Sequence, residues 1–451
     1  MARRLFGTDG VRGVAGELLT AELTLALGRA ATARIARQAA DERPRVLVIR
    51  DTRASGEMLE AAVAAGIAAA GGVALLGGVL PTPAASLLIR RYGFHLGVVL
   101  SASHNPWRDN GVKFFGADGD KLSDAVEEEI EALLEDPQAG ASGSEPGGVT
   151  ALHGTLEDYL RELHVRFRDL DLHGRRILLD CANGATYRAA PEIFRRLGAH
   201  VDVLADAPDG RNINDGCGST HVEQLAEAVK ACGHDAGFAF DGDGDRMLAV
   251  DRAGAVVDGD ELIALAAIHL KAHDRLPGDG VAVTVMTNYG FHTAMQAAGI
   301  EVATTAVGDR YVLEALRERG WALGGEQSGH IIELGFAPSG DGIASALLTL
   351  EALSGGDLAE RHAMEKLPQT LVNVRLPGRE AVQRAAQDEA MTAAVEREQE
   401  ALAGRGRVLV RASGTEPLLR VMVEAPSAEE AEEVCGRLVE RARAAAVEMA
   451  P

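Results

Sequence analysis

Short apolar runs that end in polar residues recur along the chain. RVLVIRDTR (45–53) is followed by a stretch with helical spacing, RILLDCANG (176–184) by YRAAPEIFRRLG, and VAVTVMTNYG (281–290) by FHTAMQAAG. A buried strand, polar residues at its C-terminal end and then a helix make the βα unit of a mostly parallel sheet. Three such units, each more than a hundred residues from the last, predict three related α/β domains. From about residue 369 the pattern changes to strand, helix, strand, loop, strand, helix, which predicts a smaller α+β domain.

Three seams suit this division. EDPQAGASGSEPGGV (135–149) is rich in Gly, Ser and Pro and follows the acidic helix SDAVEEEIEALLE. Such a composition predicts a linker or long surface loop. HAMEKLPQTLVNVRLPG (362–378) follows an Ala/Leu helix and opens a strand, and a further seam near 256 closes the second βα series. The expected domains are 1–150, 151–256, 257–368 and 369–451.

Residues 61–89 carry no charge, a run long enough to cross a bilayer. Its alanine bulk, five glycines and two prolines instead predict helix, Gly-Gly turn, strand and Pro-rich loop inside an α/β core. The 451 residues carry a formal charge of −22, which argues against general binding to nucleic acid or anionic membrane. Cys181, Cys217, Cys232 and Cys435 form no CxxC pair, and no apolar run follows the two arginines of MARRLFGTDG. Both features fit a reducing cytoplasm and the absence of a signal peptide.

The chemistry concentrates in a few loops. In FAFDGDGDRMLAVD (238–251), Asp241, Asp243 and Asp245 alternate with glycine between two strand-like runs. Three converging carboxylates need a cation, and hard oxygen ligands suit Mg²⁺ or Ca²⁺. An EF-hand is rejected because Arg246 and Arg252 replace the glycine and glutamate that it requires. A solvated acidic hairpin is the alternative. In LGVVLSASHNPWRDNGVKFF (96–115) a strand precedes Ser101 and Ser103, Asn110-Gly111 signals a tight turn, and a second strand carries Lys113. Ser103 is either a capping serine or a nucleophile. A nearby cation would let it act on a phosphate ester.

RASGTEPLLRVMVE (411–424) offers Arg411, Ser413, Gly414, Thr415 and Arg420 to an anion, although Ser-Gly-Thr is also ordinary turn chemistry. GGEQSGHIIEL (324–334) brings Glu326, Ser328 and His330 to a Gly-rich loop able to meet sugar hydroxyls and move a proton. AVGDRYV (306–312) places Gly308, Asp309 and Arg310 at the mouth of a helix, where Asp309 could equally be a cap. FGTDGVRG (6–13) brings Thr8, Asp9 and Arg12 into another turn.

SASHNP, DGDGDR, GEQSGH and RASGTEP, in this order and at these separations, resemble the α-D-phosphohexomutases over essentially the whole chain. The resemblance implies three similar mixed α/β domains and a smaller α+β C-terminal domain around a central cleft. It implies that Ser103 is a phosphoserine and that Asp241, Asp243 and Asp245 hold one Mg²⁺ with an oxygen on Ser103. Glu326 and Ser328, with Arg246, Gly308 and Asp309, would contact the sugar. Arg411, Ser413, Gly414, Thr415 and Arg420 would grip the non-reacting phosphate. Lys113, His330 and Arg12 are unranked candidates for proton transfer and charge stabilisation. The FGTDGVRG start, the Gln of GEQSGH and the length most resemble members acting on glucosamine phosphates, with glucosamine 1,6-bisphosphate as intermediate. The same chemistry on glucose or mannose phosphates is the alternative. The partner implied is a phosphosugar in the cytoplasm, with neither nucleic acid nor membrane, and a homodimer stays open.

Overall fold

The structure, a computed structural model, describes residues 5–7, 9–38, 43–134, 145–413 and 416–448. Its strands fall into four sheets. The first combines β1 (Val11–Val14), β2 (Arg45–Arg50), β3 (Val73–Val79), β4 (Leu96–Leu100), β5 (Asp109–Gly116) and β6 (Gly148–Ala151), in the order β1-β5-β4-β2-β3-β6. Helices α1 (Ala21–Gln38), α2 (Gly56–Ala69), α3 (Thr82–Tyr92) and α4 (Asp124–Leu134) belong to this part of the chain. Val46, Val48, Val98 and Leu100 bury one face of the sheet against Leu27, Leu59, Val63 and Ile67 of α1 and α2. Period-2 burial on strands and helical spacing on the partners are what make the two layers match.

After α5 (Thr155–Arg166), the second sheet contains β7 (Arg176–Asp180), β8 (His200–Leu204), β9 (Ala236–Phe240), β10 (Met247–Asp251) and β11 (Val256–Val257), with α6 (Ala189–Arg196) and α7 (Glu223–Cys232) between its strands. The third has β12 (Gly280–Thr284), β13 (Glu301–Thr305), β14 (Leu323–Gly325) and β15 (Ile331–Glu333), with α8 (Gly259–Ala272), α9 (Tyr289–Ala297), α10 (Asp309–Arg319) and α11 (Gly342–Leu353) along the same stretch.

These three sheets share one device. A parallel strand is followed directly by an antiparallel neighbour: β4 by β5, β9 by β10 and β14 by β15. The intervening loop therefore starts at the C-terminal end of a parallel strand, the end at which open α/β sheets bind ligands. The SASHNP, DGDGDR and GEQSGH segments occupy these three loops.

The fourth sheet is antiparallel: β16 (Gln369–Arg375), β18 (Leu418–Glu424) and β17 (Arg407–Ala412), with α12 (Arg379–Gln387), α13 (Glu389–Leu402) and α14 (Ala428–Glu448). Contacts divide the chain into two compact units, residues 1–286 with 301–361, and residues 287–300 with 362–451. Helix α9 thus belongs with the fourth sheet. Its first turn is tied there by the buried Glu424 carboxylate, which accepts from Tyr289 N at 2.8 Å.

Several local expectations differ from the structure. Asn110-Gly111 is not a turn but lies inside β5, paired with β1. Gly111 is there for close approach, since a Cβ would meet the Ser101 carbonyl oxygen at 2.3 Å. The stretch after β3 starts α3 at once, with Pro83 in its first turn, where the missing N–H is no loss. The one helix expected between the first two strands of the tail is two, because Asp388 is extended and caps α13 through Met391 N at 3.0 Å. Asp309 is the first residue of α10, not its cap. Residues 135–144 of the proposed linker lie outside the described residues, and Gly148-Val149 at its end opens β6.

Candidate active site

The serine loop leaves β4 under tight control. Arg53 is buried just beyond β2. Its guanidinium donates to Ser103 O at 2.8 Å, Asn105 O at 2.9 Å, Pro106 O at 2.5 Å and Asp109 O at 3.0 Å, while Asp51 pairs with its Nε at 2.8 Å. Ser101 Oγ donates to Asp51 Oδ2 at 2.6 Å and accepts from Ser103 N at 2.9 Å. These bonds bend the loop until Ser103 takes a left-handed backbone, φ 51°. A non-glycine residue held there is strained and needs surroundings that over-determine it.

Ser103 Oγ donates to Asp241 Oδ2 at 2.5 Å, and His104 Nδ1 lies 3.3 Å from the same hydroxyl. The acidic loop comes so close that a Cβ on Gly242 would sit 2.6 Å from Ser103 O. Asp241, Asp243 and Asp245 are all buried, and one carboxylate oxygen of each lies within 4.8 Å of the others. Asp243 Oδ1 and Asp245 Oδ1 have no hydrogen-bond partner among the described residues. Burial, with Asp245 and Asp243 beside it, pushes the Asp241 carboxyl well above its ordinary range. A divalent cation would relieve both the orphaned oxygens and the crowding, so the residues fit a Mg²⁺ site. A solvated hairpin does not describe these carboxylates.

Cations ring the triplet. Lys113 Nζ, on β5, pairs with Asp243 Oδ2 at 2.8 Å and Asp9 Oδ2 at 3.0 Å. Burial alone would lower its pKa, but Asp243 and Asp9 more than offset that and raise it. Thr82 Oγ1 also donates to Asp243 Oδ2, at 2.7 Å. His330 Nδ1 is 3.7 Å from Asp245 Oδ2, and its Nε2 accepts from Gly340 N at 3.1 Å. Burial opposes the charged imidazole, yet Asp245 and Asp309 raise its pKa. Arg246 Nε is 3.8 Å from Asp245 Oδ1, and Arg12 pairs with Asp9. The sugar-loop candidates meet through Glu326, whose Oε1 accepts from Gly308 N at 3.0 Å; Ser328 is exposed.

The anion candidates lie in the second compact unit. Arg411 and Arg420 face each other across β17 and β18. Burial and the Arg420 charge lower the Arg411 pKa, and Arg420 Nε is buried without a partner among the described residues. Like charges directly opposite cost stability unless an anion joins them. Ser413 N donates to Leu418 O at 2.8 Å, holding the loop's start. Gly414, Thr415 and Thr8 lie outside the described residues.

Some residues that build the site had no sequence signal strong enough to name them. Arg53 and Asp51 sit in the polar tail of RVLVIRDTR, which only marks a strand end. Lys121 lies in an ordinary-looking loop, yet its ammonium is clasped by Asp9 at 2.5 Å and Asp309 at 2.6 Å.

Buried serine, acidic triplet and flanking cations on one edge have the chemistry that phosphoryl transfer needs. Sequence models of phosphoglucomutase/phosphomannomutase match the chain in four consecutive pieces: alpha/beta/alpha domain I at 3–140, domain II at 149–254, domain III at 258–371 and the C-terminal domain at 371–441. The chain belongs to this family of phosphohexomutases. Among its relatives, the phosphoglucosamine mutase of Moorella thermoacetica is 51% identical over 441 residues, covering 96% of this chain and 98% of the relative. That of Streptomyces avermitilis is 49% identical, covering 98% and 99%. A phosphoglucomutase/phosphomannomutase family protein from Burkholderia thailandensis has the same fold, with TM-score 0.80 at 23% identity over 97% of both chains. The N-acetylphosphoglucosamine mutase of Aspergillus fumigatus, solved with GlcNAc-6P and magnesium, gives TM-score 0.63 at 18% identity, covering 98% of this chain and 96% of that one.

Proposed function

We propose that the chain interconverts glucosamine 6-phosphate and glucosamine 1-phosphate through a phosphorylated Ser103 and glucosamine 1,6-bisphosphate. The observation that carries this reading is the 2.5 Å contact between Ser103 Oγ and Asp241 inside the buried triplet. In the first transfer the Ser103 Oγ–P bond breaks as a bond forms from the sugar 1-oxygen to phosphorus, and the 1-hydroxyl proton passes to a base. The bisphosphate then turns over within the enzyme. In the second transfer the O6–P bond breaks, Ser103 Oγ is phosphorylated again, and O6 takes up a proton.

Asp241, Asp243 and Asp245 would hold Mg²⁺, which when bound neutralises charge on the phosphoryl group. Lys113, kept charged by two carboxylates, is suited to stabilising phosphoryl oxygens. His330, buried with a carboxylate near each ring nitrogen, is suited to carrying the proton. Glu326 and Ser328, with Arg246, Gly308 and Asp309, would orient the sugar, and Arg12 would support Asp9. Arg411, Ser413, Gly414, Thr415 and Arg420 would take whichever phosphate is not reacting.

The roughly 50% identical relatives support glucosamine as the sugar. Four free cysteines support a cytoplasmic setting for this amino-sugar step. Among the described residues, no helix is long and apolar enough to cross a membrane. Parallel turnover of glucosamine, glucose and mannose 6-phosphates tests the assignment, with intact mass used to find one phosphate on Ser103. Preference for glucose or mannose would transfer the chain to the other branch of the family. Release of inorganic phosphate without isomer would refute mutase chemistry.

A further inference from the structure

Two of the acidic triplet's members are joined by a chain of alternating acidic and basic side chains that runs through four other stretches of sequence, around Asp9, Lys113 with Lys121, Asp309 and His330. From Asp243 it passes to Lys113 at 2.8 Å, then to Asp9 at 3.0 Å and to Lys121 at 2.5 Å. From Lys121 it continues to Asp309 at 2.6 Å, to His330 Nε2 at 3.8 Å, and through Nδ1 back to Asp245 at 3.7 Å. Lys121 is the midpoint. It is the one link in this circuit that joins the Lys113 side to the His330 side away from the triplet itself.

We propose that Lys121 is a positioning residue for phosphoryl transfer: by holding Asp9 and Asp309 together it sets the Lys113 ammonium and the His330 imidazole on either side of the reacting groups. This rests on the reading of the site given above. Lys121 is fixed to the same strand that carries Lys113, because it bridges to Phe115 of β5 and the adjoining turn closes through Gly116 N to Asp120 O at 2.8 Å. Asp309 opens α10, so the link sets that helix's first turn against β5. Packing does not fix the link by itself. A cavity of about 140 Å³ adjoins it, lined by Lys121, Asp309, Arg310, Arg317 and His330 among others. Side chains beside a void lose contacts on that side, and directed ion pairs then decide where they point. Removing the ammonium would leave two largely buried carboxylates facing each other without their shared cation, and both would turn away.

The same junction supplies a control. Arg317 of α10 pairs with Asp120, next to Lys121, and among the described residues forms no ion pair with a member of the circuit. A role as a mere strut would be shared by Arg317, whereas a positioning role would not.

The experiment compares Lys121→Met, Lys121→Gln, Lys121→Arg and Arg317→Met with the wild type, in steady-state turnover of glucosamine 6-phosphate and in thermal melts. Wild-type turnover is measured first. Its absence sinks the proposed function, whereas the variant ratios, taken on whichever hexose phosphate the enzyme turns over, judge Lys121 alone. Lys121→Met and Lys121→Gln should lower kcat about 10- to 100-fold, the usual loss when an outer partner of a reacting group is removed, with KM within about 3-fold of wild type. Lys121→Arg should recover most of the loss, and Arg317→Met should keep kcat within about 2-fold. The proposal is overturned if kcat is unchanged in the neutral variants, if KM carries the loss, or if Arg317→Met matches it. Failure of both neutral variants to fold while Lys121→Arg folds would also overturn it, since Lys121 would then be a structural strut.

Discussion

The serine-and-aspartate edge and the Arg411–Arg420 loop treat charge in opposite ways. At the first, each cation meets a carboxylate: Lys113 has Asp243 and Asp9, Lys121 has Asp9 and Asp309, and His330 has Asp245. At the second, two guanidiniums face each other and Arg420 Nε has no partner among the described residues. The braced region is organised before any substrate arrives, as transition-state stabilisation requires. The loop region is left short of negative charge, and a phosphate would complete it. In the proposed reading, where this loop would take either of two phosphates, donors not yet committed to a protein acceptor are an advantage.

The sharpest way to break this contrast is at its braced end. Ser103→Ala should cut mutase turnover by at least about 1000-fold, as loss of a covalent nucleophile does, while calorimetric affinity for substrate stays within a few-fold. Comparable turnover in the variant would remove the nucleophile. Asp243→Asn should come next. It takes a charge from the triplet and a partner from Lys113, so half-saturation in a Mg²⁺ titration should rise about 10- to 100-fold, with kcat falling alongside. An unaltered titration would mean that the metal sits elsewhere.

Arg411→Ala tests the other region. Loss of a charge-assisted phosphate contact, about 1.5–3 kcal/mol, should raise KM more than it lowers kcat. Because the substitution also removes the repulsion with Arg420, the melting temperature should not fall. A drop of several degrees would show the pair to be structural.

The smallest effect sharpens the contrast within the braced region. Asp341 is buried with Tyr159 Oη donating to it at 2.9 Å and, among the described residues, no cation paired to it, and burial pushes its pKa up to about 6. A raised carboxyl pKa means that the native state holds the proton which the unfolded chain has already released. Stability is therefore greatest below the unfolded value and is lost as pH rises through about 6. Asp341→Asn keeps an acceptor for Tyr159 and a good helix cap for α11, so it should remove this loss. Denaturation should show wild type losing about 2 kcal/mol relative to the variant between about pH 4.5 and about pH 7. Parallel stability curves would mean that Asp341 is ionised without penalty.

The sequence carried most of what is local. Strands around SASHNP, DGDGDR and GEQSGH were legible because apolar runs flanked Gly-rich polar loops. The carboxylate triplet was legible because repulsion between near neighbours demands a cation. What is set across the fold was not legible. Asn110-Gly111 has turn chemistry, but pairing with β1 and the Ser101 carbonyl pressing on Gly111 put it in a strand. Arg53 and Lys121 are ordinary surface residues by composition. Only folding brings four carbonyls to one and two carboxylates to the other. Asp388 divided a helix that periodicity alone would have continued.

The Glu424 clasp bears on how the chain can be cut. Its carboxylate accepts from Tyr289 N, receives Arg407 Nε at 2.8 Å and lies 3.4 Å from Asn288 Nδ2. A fragment ended at residue 368 would keep α9 but lose the acid that anchors it, leaving Tyr289 N without its acceptor. A fragment begun at 369 would inherit Glu424 without the helix it serves. Neither piece is a natural excision product, and dissection of this enzyme has to carry residues 287–300 along with its tail.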